Sequence, residues 1–332
     1  MRMPVLLALL VAVAACTSPA IQAPAARPSV SAAPALEKEA ALLVETGSQG
    51  AVVHVRKGGQ TWQAAAGLAD VGVVMRPEHR FRIASITKTF TATLVMEQVE
   101  QGRLALADRV DELLPGVIKT EARVADLLGH TSDISDYLRD ERFEKDLEDG
   151  AYLRHWTPRE LLKYSDKKVR GYSNTNYILL GMILEKVSGR PYRQLLWESI
   201  TRPLGLSATE LPTGDLPEGL AHGSHSGVNI AELDSSIFWT AGGLVSTAAD
   251  VSAFYHWLFA QDVGKRLQSG GFGIFTRTLG CGQRVLSHSG QIHGYGGMVM
   301  SSQDGEKVVV VQVNSTRPGD AIATAERIMC TL

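Results

Sequence analysis

The sequence predicts an α+β fold: an antiparallel sheet flanked by helices, built from both chain ends, with a mainly helical subdomain inserted between them. Three observations carry this prediction. Strand-like runs cluster at residues 50–67 and again at 271–313, each with a helical pattern beside it. Residues 103–235 hold short helical and loop segments without convincing strand runs. Finally, 332 residues that are 45% hydrophobic suffice for one large core or for two packed subdomains.

Each element has a local reason. From Leu36 to Glu45 the apolar residues fall on one side of a helix. Two strand-like runs, 50–56 and 61–67, flank the turn Lys57-Gly58-Gly59-Gln60, which is a hairpin signal. A helix opening at Ser85 has apolar residues at Ile86, Phe90, Leu94, Val95 and Val99 and stops at Gly102. Thr157-Pro158-Arg159-Glu160 reads as a capped helix start, with Thr157 and Glu160 closing a capping box. Further helices span Asn176 to Val187, ended by Ser188-Gly189, and Thr247 to about Ala260. Strand runs then return at 271–277, 284–289, 296–301 and 307–313, and a helix over about 320–329 closes the chain. A cleft between sheet and helical insert is the expected place for a small-molecule site.

The N-terminus reads as a targeting segment. Arg2 precedes an apolar run from Val5 to Ala15, shorter than the ~20 residues a spanning helix needs and suited to a secretory signal. Val13-Ala14-Ala15-Cys16 is similar to a bacterial lipobox, so residues 1–15 are read as signal peptide and Cys16 as the lipidated first residue. Residues 16–35, rich in Ala, Pro and Ser, then form a tether, and the folded domain is 36–332. An ordinary signal peptide cut near Ala15 is the alternative. The expected location is the cell envelope, with the membrane reached through the lipid. Setting Cys16 aside leaves Cys281 and Cys330, a candidate disulfide in an oxidising compartment, or else two buried free thiols. There is no CxxC pair, so a cysteine-based zinc site is not expected, and neither a metal nor a cofactor is. With net charge −2, pI about 6.5 and well-mixed charges, nothing suggests nucleic acid.

Three short motifs carry chemistry. In Ser85-x-x-Lys88 the hydroxyl and the amine lie one helical turn apart on one face, and a half-buried lysine can be neutral enough to activate a serine. In Tyr172-Ser173-Asn174 the phenol can relay a proton beside Lys88, while Asn174 can donate its amide to a substrate carbonyl. His288-Ser289-Gly290 would end a strand whose edge pairs with an extended substrate, the glycine allowing close approach.

In order and content these motifs resemble the serine penicillin-recognising hydrolases, closest to secreted actinobacterial D-Ala-D-Ala carboxypeptidases and to class C β-lactamases and related esterases. The likeness runs over nearly all of 36–332 and includes Leu127-Leu128-Gly129-His130-Thr131-Ser132, the segment 239–247, and Gly294-Tyr295-Gly296. It implies the β-lactamase/transpeptidase-like fold, a Ser85 acyl-enzyme, and proton transfer shared by Lys88 and Tyr172. It also implies an oxyanion hole from the backbone N–H groups of Ser85 and Gln291, Trp239 on the cleft wall, and a monomer acting on a small peptide or β-lactam.

Context separates these motifs from their duplicates. A second S-x-x-K, Ser165 to Lys168, lies in a charged stretch with no amphipathic helix after it. A second H-S-G, His225 to Gly227, lies in a Gly/Ser loop, and His222 and His225 lack a third metal ligand. His130 is expected to fix a loop through hydrogen bonds. No G-x-S-x-G, Walker A loop or H-E-x-x-H occurs.

Within the family, His288 in place of lysine and the Tyr-Ser-Asn motif look more like the carboxypeptidases. Arg277, at the end of the run 271–277, matches an arginine that would bind a substrate carboxylate there. Ser289 stands where threonine is commoner, and Asp133 where glycine is usual, although aspartate tolerates a left-handed backbone. Three functions are therefore expected in order: a carboxypeptidase releasing terminal D-Ala from cell-wall stem peptides, an esterase or β-lactamase on the same scaffold, and a catalytically idle lipoprotein that binds wall peptides or penicillins.

Overall fold

The run Lys307–Val313 has valine at five of its seven positions, the pattern of a strand covered on both faces, and it lies at the centre of a seven-stranded antiparallel sheet. The computed structural model describes residues 34–225, 228–315 and 318–332. In chain order the strands are β1 (Gly50–Lys57), β2 (Gln60–Asp70), β3 (Val73–Val74), β4 (Phe275–Thr278), β5 (Arg284–Ile292), β6 (Tyr295–Ser301) and β7 (Lys307–Val313). Their spatial order is β3-β2-β1-β7-β6-β5-β4. β1 pairs with β7, Val53 opposite Val311, so the sheet closes by joining the two ends of the chain.

Side-chain alternation gives the sheet two buried faces. On one, Val53, Val55, Val309 and Val311 pack with Leu43 of α1 (Pro34–Glu45) and Ala321 and Ala325 of α6 (Pro318–Thr331). A disulfide between Cys281 and Cys330 ties the β4–β5 turn to α6. On the other face Val52, Val299, Val308 and Val310 meet the larger core. That core includes α2 (Thr87–Glu100), α3 (Asn174–Ser188) and α4 (Ala248–Ala260).

Two expectations change. Helix α2 is buried on all sides rather than along one stripe. Its threonines are tolerated because their hydroxyls are bonded: Thr89 to Gly273 O and Thr91 to Thr240 O, both at 2.7 Å, and Thr93 back to Thr89 O. The strand expected over 271–277 begins only at Phe275. A helix, α5 (Asp262–Gly270), ends at Gly271, and Gly271 and Gly273 take left-handed angles (φ 65° and 63°) that stop a ladder from starting earlier.

Candidate active site

The segment that carries Ser85 is held from both sides before α2 begins. Phe81 and Arg82 pair with Ser246 and Val245, and Ile83 N–H donates to Leu244 O. The buried Arg82 guanidinium donates through its two terminal nitrogens to Ser235 Oγ (2.7 Å), Ala231 O (2.6 Å) and Leu233 O (2.5 Å), which anchors the segment where water cannot reach it. Ala84 then adopts φ 48°, an uncommon conformation for a residue with a side chain, and Ala84–Ile86 forms a single 3-10 turn. Ser85 therefore stands on the turn ahead of α2, which starts at Thr87, and Lys88 lies one turn along.

Lys88 is fully buried, and its Nζ has three polar neighbours: Ser85 Oγ at 3.0 Å, Asn174 Oδ1 at 2.7 Å and Ala241 O at 2.7 Å. Burial pulls its pKa down to about 7, against a smaller opposing pull from the Asp136 carboxylate. Tyr172 OH donates to Ser85 Oγ at 2.9 Å. Burial pushes that phenol well above its usual range, so it holds its proton. One hydrogen arrangement satisfies every contact. A neutral Lys88 donates to Asn174 and Ala241 and accepts the Ser85 hydroxyl hydrogen, while Ser85 Oγ accepts from Tyr172.

Asn174 Nδ2 donates to Asp136 Oδ2 at 2.9 Å. Its amide thus ties Lys88 to Asp136, through its oxygen on one side and one N–H on the other. Asp136 was not expected in the site at all, and no local spacing signals it. His130 fixes its neighbours as anticipated: it stacks on Tyr172 with ring centroids 4.2 Å apart, and its Nδ1 accepts the Ser173 N–H at 3.2 Å. Asp133 does adopt the left-handed backbone (φ 58°), with its carboxylate 3.5 Å from Arg170.

The third motif lies on β5. β4 pairs only with Arg284 to Ser287, whereas β6 pairs as far as Ile292, so β5 runs from His288 to Ile292 beyond its last partner on the β4 side. His288 is buried, and burial together with the Lys88 charge draws its pKa to about 3. Its Nδ1 lies 2.7 Å from Ser289 O, an atom that can only accept, so Nδ1 carries the hydrogen. Ser289 is exposed. Gly290 is needed for packing: a Cβ there would lie 2.3 Å from Ile83 O, so it admits the chain's own backbone beside the nucleophile turn rather than a substrate. Gln291 follows on the same strand, opposite Gly296.

Two expected substrate contacts have partners within the protein. Arg277 Nη2 pairs with Glu326 Oε1 of α6 at 3.0 Å. Arg277 is opposite Val285, which belongs to the core on the α1/α6 face, so strand alternation turns it away from the Ser85 side. Trp239 is part-buried, with its ring against Gly181 and edge-on to Tyr192 (centroids 6.1 Å), so it packs the turn that supplies Ala241 O. The duplicate motifs stay apart. Ser165 Oγ bonds Thr175 Oγ1, Lys168 is exposed, and His222 pairs with Asp70. Ser226 and Gly227, like residues 1–33 with Cys16, lie outside the described residues.

With this geometry in hand, comparison with known proteins is specific. A family model described as Beta-lactamase matches residues 35–332. The chain is 26% identical over 283 residues to penicillin-binding protein 4* of Bacillus subtilis, covering 70% of this chain and 60% of that one. Among solved structures it is similar to a D-stereospecific amidohydrolase from Streptomyces sp. (TM-score 0.80, 29% identity, 90% of this chain and 98% of that one). It is also similar to a D-amino acid amidase from Ochrobactrum anthropi SV3 (TM-score 0.78, 25% identity, 90% and 98%).

Proposed function

The chain belongs to the beta-lactamase family and is a serine hydrolase of that fold, and from this premise we propose that Ser85 forms an acyl-enzyme with amide or ester bonds at D-amino acids. D-alanyl stem peptides of the cell wall and β-lactams are the acyl donors in this reading, as for a D-alanyl-D-alanine carboxypeptidase-like enzyme. The observation that carries it is the continuous contact Tyr172 OH–Ser85 Oγ–Lys88 Nζ.

In acylation, neutral Lys88 takes the hydroxyl hydrogen as Ser85 Oγ attacks the carbonyl carbon. The developing oxyanion is held by the backbone N–H groups of Ser85 and Gln291. As the C–N bond breaks, Tyr172 delivers its proton to the leaving nitrogen and is reprotonated from the Lys88 ammonium. Water then attacks the acyl carbon with Lys88 again as base, releasing the acid and restoring the serine hydroxyl. An esterase reading shares every step except the leaving atom. The structural likeness to amidases supports an amide as the scissile bond.

The proposal extends to the whole protein as a monomeric cell-envelope lipoprotein, signal-cleaved before Cys16, whose domain from residue 36 works outside the cytoplasm. A labelled penicillin should attach covalently at Ser85 and fail to do so in Ser85→Ala. A folded wild-type protein that takes no label at Ser85 refutes the acyl-enzyme.

A further inference from the structure

Away from Ser85, one helix turns an aromatic ring outward. Tyr192–Leu196 continues into a π-helical turn, Trp197–Thr201, closed by the Arg202 N–H on Trp197 O at 2.9 Å. Tyr192, Leu195, Leu196 and Ile200 are buried and anchor it to the core. Trp197 faces out and is half exposed, with the Arg202 guanidinium 4.4 Å from its ring, a stacking that holds the indole in place. Single π-turns inside helices are frequent at functional sites.

The indole lines a cavity of about 530 Å³, within the ~300–1,000 Å³ range of small-molecule sites, whose opposite wall is Glu210 and Leu211. Arg193 and Gln194, one turn before Trp197, and Thr201, one turn after it, complete the helical wall. Their polar groups are only partly used. Arg193 gives one N–H to Thr213 Oγ1, Gln194 one to Glu198 Oε1, and Glu210 lends one oxygen to Arg80. The remaining Arg193 N–H groups, the Gln194 carbonyl and the second Glu210 oxygen are left for a ligand. Thr201 is 6% exposed, and its hydroxyl has no hydrogen-bond partner among the described residues. A buried hydroxyl in that state is completed by water or by a ligand.

This combination is selective. An apolar chain would cover the indole and leave the polar groups unpaired. An anion would meet Glu210 and a cation Arg193, one charge of each sign on the wall. A sugar ring, with C–H groups on its faces and hydroxyls around its edge, suits both the indole and the rim. We propose that this cavity binds a sugar ring of a neutral glycan, stacked on Trp197, with Thr201, Arg193 and Glu210 meeting its hydroxyls. The inference rests on the cell-wall reading for its ligand, the glycan strand from which D-alanyl stem peptides branch, and adds a second contact with that substrate. The cavity is fixed to the supports of the nucleophile. Tyr192 OH meets Thr91 Oγ1 of α2 at 2.9 Å, and Glu210 exchanges backbone hydrogen bonds with Val245, which pairs with Arg82.

Calorimetric titration of the full chain with the N-acetylglucosamine tetramer, a soluble neutral glycan, tests the site. Saturable binding is expected. Trp197→Ala should weaken it about tenfold or more, as loss of an aromatic anchor does. Thr201→Val keeps the side-chain shape and removes the hydroxyl, and it should weaken binding about two- to tenfold. No saturable binding, or wild-type affinity in either variant, overturns the proposal. If Trp197→Ala does not fold, Thr201→Val decides alone. Penicillin labelling of Ser85 does not enter this titration, so failure of the acyl-enzyme and failure of the glycan site are read separately.

Discussion

The carboxylate of Asp136 reaches Lys88 through Asn174, whose amide donates to the one and accepts from the other. The base of the site is therefore oriented from behind by a fixed relay, and its charge is balanced without a direct ion pair. Asp136→Asn keeps the shape and removes the negative charge that favours the Lys88 ammonium. The acid limb of the penicillin-labelling rate should move to lower pH, while the plateau falls modestly. A limb that stays in place would show that Asp136 does not act on Lys88.

In the wild-type protein, Lys88 must be neutral to accept the serine hydrogen, and its pKa is about 7. The pKa is lowered, so the neutral base predominates above about 7 and is lost as pH falls through it. Labelling should drop about tenfold per pH unit below that point. Lys88→Arg, always charged, should lose activity at every pH without showing the limb.

Tyr172→Phe deletes the proton donor and leaves the base. The acylation rate should fall by about 10²–10⁴, yet the limb near 7 should survive. Disappearance of the limb in Tyr172→Phe would transfer the base role to the phenol.

Gly290→Ala places a methyl 2.3 Å from Ile83 O, and backbone on both sides must move. A cost of about 1–3 kcal/mol is expected from the overpacking, read as a lower thermal midpoint. Labelling at Ser85 should slow more than stability alone explains, because Ile83 sits two residues from the nucleophile. Unchanged labelling in a folded variant contradicts this contact.

The Cys281–Cys330 bridge spans 49 residues. For a loop of that size the chain-entropy model gives roughly 4 kcal/mol as an upper figure and measured bridges about 2–4. Cys330→Ser should lower the unfolding free energy by that order under non-reducing conditions, a loss visible in denaturant titration.

The parts of the site legible in the sequence are those with a local spacing. Ser85 and Lys88 are one helical turn apart, and Tyr172 and His288 sit in three-residue motifs whose order along the chain is informative. Asp136 is not legible because its role depends on a contact with Asn174 across 38 positions. Arg277 misled because the strand begins at Phe275 after two left-handed glycines, and strand alternation then fixes which face the arginine takes. Gly290 was recognised as a place of close approach, but only packing shows that Ile83 is what approaches. The even burial of α2 is hidden by its threonines, which look solvent-facing until their hydroxyl partners are known.

The pairing of β1 with β7 also sets a timetable. About 250 residues separate Lys57 from its partner Lys307, and the strand bearing His288 lies near the end of that interval. At ribosomal speeds of roughly 5–20 residues per second, the N-terminal hairpin waits about 10–50 s for the strand that completes its sheet. Until then the apolar flank of β1 has no neighbour, and no nascent fragment can assemble Ser85 with His288. Acylating ability is therefore a property that arrives only with the last tenth of the chain.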